Sequence, residues 1–163
     1  MGRAAGTDAV FPTVFGNNLN GRAVELPRDL TGRVNLVFVA FTRAQQREVN
    51  SWQPFVAEIT QRFSDVRAYE LPTLAKPFAL LRGYLDGIMR SGIPDPQTRE
   101  TTVTLFLDKR DFDRALRISS EREIAVFLVA STGEVLWRTT GPYDPAKSNE
   151  LAKIIGADRS AGH

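Results

Sequence analysis

The chain has 163 residues, which is enough for one domain with its own hydrophobic core. Its 42% hydrophobic and 25% charged residues and its formal net charge of +2 are those of an ordinary globular protein, and they indicate no strongly basic or acidic partner. It has no cysteine, which excludes disulfides, thiol nucleophiles and cysteine-ligated metals. Its one histidine is His163, the last residue, so neither a histidine metal site nor a Ser-His-Asp triad is expected.

The first predicted structure is a β-hairpin. Residues 11–15 are an extended piece, residues 16–21 are rich in turn formers, and residues 22–26 alternate polar and apolar side chains as a return strand does. The Asn20-Gly21 pair is the strongest hairpin signal in the chain. Residues 1–10 have no apolar core of signal-peptide length, and no apolar run is long enough to span a bilayer. The compartment is left open, since a leader could have been removed.

The central feature is a buried strand that leads directly into a helix. Residues 33–41 are almost continuously apolar, which predicts a strand buried on both faces. Thr42 and Gln45 fit the capping-box pattern for the start of a helix over residues 43–63. One apolar face of that helix is formed by Val49, Trp52, Phe55, Val56, Ile59 and Phe63.

A second strand is predicted over residues 65–71, with Pro72 as its end. The apolar spacing of Phe78, Leu81, Leu85 and Ile88 predicts a helix over about 75–90. The same helix carries Leu80, Tyr84 and Met89, so it is either wedged between the sheet and a loop or exposes a partner-binding surface. Pro94 and Pro96 predict a rigid turn over residues 93–97, with no continuation of the helix.

The second half of the chain alternates between strands and helices. The predicted elements are a strand over 101–107, a short helix over 108–118 with Phe112, Ala115 and Leu116 inward, a buried strand over 124–129, a turn over 131–134 and an antiparallel edge strand over 135–139. A last helix starts with Asp144 as N-cap and Pro145 at its first position, and it runs to about Ile155. Residues 1–157 are expected to form one domain, followed by a disordered tail over 158–163.

This order of elements predicts an α/β fold with a mixed central β-sheet, helices on both faces and an N-terminal β-hairpin. Three pieces resemble the thioredoxin-like superfamily, in particular its peroxiredoxin and thiol–disulfide branch. Residues 11–15 with Asn20-Gly21 are similar to the family's opening hairpin, residues 30–40 to its central strand and residues 125–135 to its late strand and turn. The resemblance covers most of the chain and implies a thioredoxin-like fold.

The chemistry of that family is not expected here. The resemblance implies a cysteine where the strand meets the helix, but this chain has Thr42-Arg43-Ala44-Gln45-Gln46 in that window. It also implies a cis-proline before the late strand, but residues 119–124 contain no proline. The chain is therefore expected to be a redox-inactive binding or assembly module, without thiol oxidoreductase or peroxidase activity, catalytic residues, cofactor or metal.

A narrower resemblance is to the assembly factor for the membrane sector of mitochondrial ATP synthase and its bacterial relatives, also built on a thioredoxin-like fold. It rests on residues 36–41 with Trp52, on 69–72, on Arg99 with 101–107, on Asp108-Lys109 with 112–116, and on 135–138 before Gly141-Pro142. The resemblance implies a noncatalytic, chaperone-like helper that binds a membrane-protein subunit during assembly.

Two surfaces are the candidate partner contacts. One is the start of the first helix, with Thr42, Arg43, Gln45, Gln46 and Arg47; the other is the second helix, with Leu80, Tyr84 and Met89. Trp52 and Trp137 are assigned to packing.

The alternative function is a non-thiol enzyme or a small-anion-binding protein that uses Arg43 at the N-terminus of the first helix with Glu48 or Glu70. Asp108, Asp111 and Asp113 are either a metal-binding group or, as favoured here, a solvated helix face. Nucleic-acid binding ranks last, because the sequence has no basic stripe interleaved with aromatic residues.

Overall fold

The computed structural model describes residues 9–75 and 96–161. Seven strands form one sheet in the order β2-β1-β5-β4-β3-β6-β7. The strands are β1 (Val14–Asn18), β2 (Ala23–Leu26), β3 (Val34–Ala40), β4 (Val66–Ala75), β5 (Val103–Leu107), β6 (Ala125–Ala130) and β7 (Val135–Thr140). The helices are α1 (Gln46–Ser51), α2 (Gln53–Arg62), α3 (Pro96–Glu100), α4 (Lys109–Ala115) and α5 (Pro145–Ala161), and a 3₁₀ turn over Arg43–Gln45 precedes α1.

β3 is the buried strand that the apolar run predicts. It pairs in parallel with β4 and antiparallel with β6, and six of its seven residues are buried. Because alternate side chains point to opposite faces, β3 contributes to two separate core clusters. Val37 and Val39 lie in one, with Phe11 and Phe112; Leu36 and Phe38 lie in the other, with Trp52, Ile59, Leu151 and Ile155. The predicted α/β fold with a mixed sheet and helices on both faces is confirmed.

The hairpin turn is shorter than the sequence suggests. Residues 16–18, expected in the turn, belong to β1 and pair with β5, and the chain reverses over residues 19–21. Gly16 is required there because a Cβ would lie 2.3 Å from the carbonyl oxygen of Thr104. The Asn18 side chain closes the turn, since its Oδ1 accepts hydrogen bonds from the N–H groups of Asn20 and Arg22 at 3.0 and 2.9 Å.

Pro72 does not end β4, which corrects the sequence prediction. Pro72 pairs with Ala40 of β3, and β4 continues to Ala75 beside β5. The N–H of Glu70 donates to Thr101 O on the side away from β3. Two residues later, the missing N–H of Pro72 falls on that same side, so the β3–β4 ladder keeps all its hydrogen bonds.

Further differences concern helix positions. Pro96, expected in a turn, starts α3, where a first-turn proline costs no helix hydrogen bond. Ala115 is exposed although Phe112 and Leu116 are buried, because α4 is a single short amphipathic helix.

α5 starts at Pro145 as predicted but continues to Ala161, past the expected end and into the segment where a disordered tail was expected. Of the helix expected over about 75–90, Ala75 is the last residue of β4, and residues 76–90, including Leu80, Tyr84 and Met89, lie outside the described residues.

None of the helices in the described ranges, 9–75 and 96–161, is long and apolar enough to cross a membrane. The division of the chain into one domain over 1–157 and a tail stays a prediction.

Trp52 joins α1 and α2 to the sheet. Its side chain is fully buried, and its ring centroid lies 5.7 Å from that of Phe38 and 5.5 Å from that of Tyr143. The indole N–H donates to Gly141 O at 3.1 Å. The expected packing role is confirmed for Trp52 and also for Trp137, which is 1% exposed.

We expect Trp52→Ala to lower the free energy of unfolding by about 3–5 kcal/mol, because it empties a buried aromatic site and leaves a carbonyl without its donor. Urea denaturation followed by circular dichroism measures the loss. The control is Phe15→Ala, which truncates an aromatic side chain that is 64% exposed and is expected to change stability by less than about 1 kcal/mol. Equal losses in the two variants would contradict the assignment of Trp52 to the core.

Candidate functional site

The segment that follows β3 forms the start of the first helix. Thr42 has an extended backbone (φ −140°, ψ 158°), and the 3₁₀ turn of residues 43–45 leads into α1. Thr42, Arg43, Gln46 and Arg47 are exposed, while Gln45 is only 5% exposed. The predicted helix start is therefore present, and four of the five candidate contact residues lie together on the surface.

Gln45 does not form the predicted capping box. The Thr42 hydroxyl makes no capping hydrogen bond, and Gln45 Oε1 instead accepts from the N–H of Phe41 at 2.8 Å. The Gln45 Nε2 group donates to Glu121 O at 2.7 Å. The amide thus connects the end of β3 to the loop before β6, and it shapes the surface from beneath instead of being part of it.

The Arg43 side chain is exposed, and it makes no hydrogen bond or ion pair with another residue of the described ranges, although the Arg43 carbonyl oxygen accepts from the N–H of Gln46. Glu48, its expected partner in an anion site, is half-buried and accepts from the N–H of Ile124 at 3.1 Å. Glu48 therefore fixes the start of β6. The two side chains do not face a common ligand, and this part of the enzyme alternative has no support.

Glu70 lies next to the helix start on β4. Its two carboxylate oxygens accept from Gln46 Nε2 at 3.2 Å and from Gln53 Nε2 at 3.4 Å. Burial raises the pKa of the Glu70 carboxyl, and the hydrogen bond from Gln46 opposes that shift. Glu70 connects β4 to both α1 and α2, so Gln46 has a structural contact as well as an exposed surface.

A carboxyl pair lies behind the helix start. Burial and the neighbouring Glu121 carboxyl raise the pKa of Asp113 to about 7, while Lys109 opposes the shift. Lys109 Nζ lies 3.4 Å from Glu121 Oε1 and 5.9 Å from the centroid of the Phe41 ring. The buried Oδ1 of Asp113 accepts no hydrogen bond, which fits a carboxyl that keeps its proton near neutral pH. Asp113 is therefore not part of a simple solvated face.

The other two aspartates of this segment have ordinary roles. Asp108 is the N-cap of α4, where Oδ1 accepts from the N–H of Arg110 at 3.0 Å, and Asp111 lies in an exposed pair with Arg114. Over residues 9–75 and 96–161, no group of three or more histidine, aspartate or glutamate side chains is placed to hold a metal ion.

A cavity of about 750 Å³ lies along β4. Glu70 and Gln53 line its end nearest to α1, but Thr42, Arg43 and Glu48 do not line it. The other walls are residues 22–24 and 28–31, the α2 side chains Val56 and Thr60, and the segment around Thr98–Thr101. This cavity reaches neither Arg43 nor Glu48, so it does not join Arg43 to Glu48 or Glu70.

Sequence reasoning missed the Asp113–Glu121 pair and the cavity. The cavity depends on residues far apart in the chain that the sheet order brings together, whereas the pair forms between α4 and the loop that follows it, and neither has a spacing signal. The position of Gln45, three residues after Thr42, did mark it as a residue of the helix start. The same spacing does not predict the hydrogen bond from Gln45 to Glu121 O.

Comparisons with known proteins identify the fold of the chain. No family model and no curated protein matches the chain. Solved structures do: the thioredoxin domain of a thiol-disulfide oxidoreductase from Bacteroides vulgatus has a TM-score of 0.62 at 20% identity, with 93% of this chain and 99% of that chain covered. BsSco, a member of the Sco family of cytochrome c oxidase assembly proteins, has a TM-score of 0.66 at 14% identity, with coverages of 92% and 93%.

Yeast Sco1 with copper bound has a TM-score of 0.62 at 12% identity, with 93% of this chain and 95% of that chain covered. At these identities the comparisons show the fold alone. The chain has a thioredoxin-like fold, its solved neighbours include thioredoxin-fold thiol-disulfide oxidoreductases, and it has no cysteine.

We expect Gln45→Met to lower the free energy of unfolding by about 2–4 kcal/mol, because a side chain of similar size leaves the Phe41 N–H and the Glu121 carbonyl without partners. Urea denaturation measures this loss of unfolding free energy. The matched control is Gln61→Met, the same substitution at an exposed position of α2, expected to stay within about 1 kcal/mol of the wild type. A Gln45→Met variant as stable as that control would show that the buried amide is not needed.

Asp113 predicts a specific pH dependence. The folded protein keeps the Asp113 proton up to a pH of about 7, whereas an ordinary aspartic acid loses it near 3.8. Between these values the unfolded state binds fewer protons, so this group destabilises the folded state increasingly as pH rises, with no further change above about 7. Asp113→Asn removes the effect, and its stability relative to the wild type should increase from pH 4 to pH 7.

The measurement is urea denaturation of both proteins at several pH values. Asp111→Asn removes a negative charge from the exposed side of the same helix and is the control. If the stability difference between Asp113→Asn and the wild type is independent of pH, or decreases as pH rises, Asp113 does not keep its proton in the folded protein near neutral pH.

Proposed function

We propose that the chain is a redox-inactive thioredoxin-fold module that binds a protein partner through the surface at the start of its first helix. The observation that carries the proposal is that the helix start has a buried amide surrounded by exposed polar side chains, and no cysteine. Gln45 is buried and bonded on both sides, and Thr42, Arg43, Gln46 and Arg47 are exposed around it. A thiol catalyst needs a thiolate, and this chain has none to supply.

Rigidity supports a binding role for this surface. β3 and β6 are paired along most of their lengths, and Glu48 and Gln45 both connect the helix start to the segment that precedes β6. A surface held by these contacts loses little conformational entropy when a partner binds, which favours specific association. The two arginines give it a positive character suited to a partner with acidic side chains.

The more specific proposal is a role in assembling the membrane sector of ATP synthase, and it rests on the resemblance described for the sequence. The fold is compatible with it, since the thioredoxin-like neighbours include a member of the Sco family of cytochrome c oxidase assembly proteins. Copper binding of the kind named for yeast Sco1 is not part of the proposal, because this chain has no cysteine and only His163 as a histidine. The predicted contacts Leu80, Tyr84 and Met89 remain a second proposed surface.

The proposal predicts an activity profile and a partner. The purified chain should show no insulin-disulfide reduction and no peroxide turnover above the buffer rate. It should bind detergent-solubilised membrane-sector subunits of ATP synthase from its own organism, measured by biolayer interferometry. The triple variant Thr42→Glu, Arg43→Glu, Arg47→Glu should bind at least tenfold more weakly, because it reverses the charge of the surface.

The matched control is Arg110→Glu with Arg114→Glu, which reverses two exposed charges on α4. Turnover of peroxide or of insulin disulfides by the pure chain would overturn the redox-inactive module. Equal binding by the triple variant and the control would exclude the helix-start surface, and absence of binding by the wild type would exclude the ATP synthase role.

A further inference from the structure

The sheet has a gap beside the first half of β4. β3 covers one edge of β4 from Val66 to Pro72. On the other edge, Thr102 pairs with Glu70 in an isolated bridge, and β5 pairs with Thr73 to Ala75. Among the described residues, no strand lies beside Val66–Tyr69 on that second edge. β5 is shorter than the strand it pairs with, and the chain before β5 forms α3 instead of extending the row.

The alternation of β4 shows which backbone groups face the gap. The N–H of Arg33 donates to Asp65 O on the β3 side, and the N–H of Glu70 donates to Thr101 O on the opposite side. Even-numbered residues of β4 therefore direct their N–H and C=O groups away from β3. The N–H and C=O of Ala68 face the gap, and within the described part of the chain no hydrogen bond satisfies either group.

The cavity of about 750 Å³ lies along this edge. Val56 and Thr60 of α2 form one wall, and Val24, Leu30 and Thr31 of the hairpin and its connector form the other. The edge of four residues is about 13 Å long, which is the length of a short extended segment. An unpaired strand edge with room beside it is the arrangement that proteins use to add a strand from a partner.

The charged side chains near the gap indicate which kind of peptide segment would bind there. Arg22 pairs with Glu100 at 3.4 Å, and Arg28 pairs with Asp29 at 3.2 Å. The exposed guanidinium of Arg67 donates only to the carbonyl oxygens of Ser64 and Val66 and meets no carboxylate of the described residues. Arg67 lies toward the Val66 end, so an acidic side chain of the occupant would find its counter-charge there.

We propose that the gap beside Val66–Tyr69 binds an extended peptide segment of a partner protein, which adds a strand to β4 and places an acidic residue against Arg67. The inference rests on the proposed function as a protein-binding module and gives it a further contact, chemically distinct from the helix-start surface. Backbone hydrogen bonds to Ala68 would supply affinity, and Arg67 would set the preference for an acidic end.

The probe is a fluorescein-labelled hexapeptide, Asp-Val-Thr-Val-Thr-Val, together with its reversed sequence, since the acidic end meets Arg67 in one strand direction or the other. Fluorescence polarisation with the full chain should show saturable binding of at least one of them. The same peptide with alternate N-methylated amides cannot pair as a strand and should bind at least tenfold more weakly. Absence of binding by both sequences, or equal binding of the methylated form, would overturn the proposal.

Two substitutions locate the contact on the protein. Ala68→Pro removes the N–H that faces the gap but no β3–β4 hydrogen bond, and it should weaken binding at least tenfold; Ala68→Ser keeps the N–H and is the matched control. Arg67→Glu should weaken binding of the acidic peptide and strengthen binding of its lysine-ended counterpart. If Ala68→Pro does not fold, the N-methylated peptide and Arg67→Glu still decide the question, and an unchanged preference in Arg67→Glu contradicts the proposed orientation.

The outcome separates this inference from the proposed function. If the peptides do not bind while the membrane-sector subunits still bind through the helix-start surface, the gap is not a binding site and the proposed function stands. If the peptides bind through Ala68 but the pure chain reduces disulfides, the gap is a binding site and the redox-inactive role is wrong.

Discussion

The fold depends on burying β3 on both faces. A strand with six buried residues out of seven cannot be at the edge of a sheet, so β4 and β6 must flank it and a helical layer must cover each face. Trp52 and Ile59 cover one face and Phe11 and Phe112 cover the other. The position of the helix start follows directly, because Thr42 comes two residues after the end of this strand and α1 must return along the sheet.

The features that could be predicted from sequence are the ones that repeat locally. The apolar run of β3, the helical spacing from Val49 to Ile59, and the Asp144-Pro145 start of α5 each carry their own periodic or capping signal, and the structure contains all three. The sequence predictions are wrong where a contact with a residue distant in the chain determines the local structure. Pro72 looks like a strand end until the position of β5 is known, and Gly16 looks like a turn residue until the carbonyl of Thr104 is placed against it.

The candidate site could be predicted from the sequence only in part, for the same reason. Arg43 and Arg47 could be placed on an exposed helix start from local pattern alone. The buried role of Gln45, the bond from Ile124 to Glu48 and the proximity of Asp113 to Glu121 could not, because each depends on a contact with the loop before β6 that has no local sequence signal. Local pattern specifies which side chains are available, and the sheet order specifies which of them meet.

The two tryptophans have a practical consequence. Trp52 and Trp137 belong to the same core cluster, on the face covered by α1, α2 and α5, and the other cluster contains neither. Intrinsic indole emission therefore reports the state of only one layer. If the hairpin layer with Phe11 and Val14 detached while the opposite layer stayed packed, emission would stay native, and a probe introduced near the hairpin would be needed to detect such a half-open molecule.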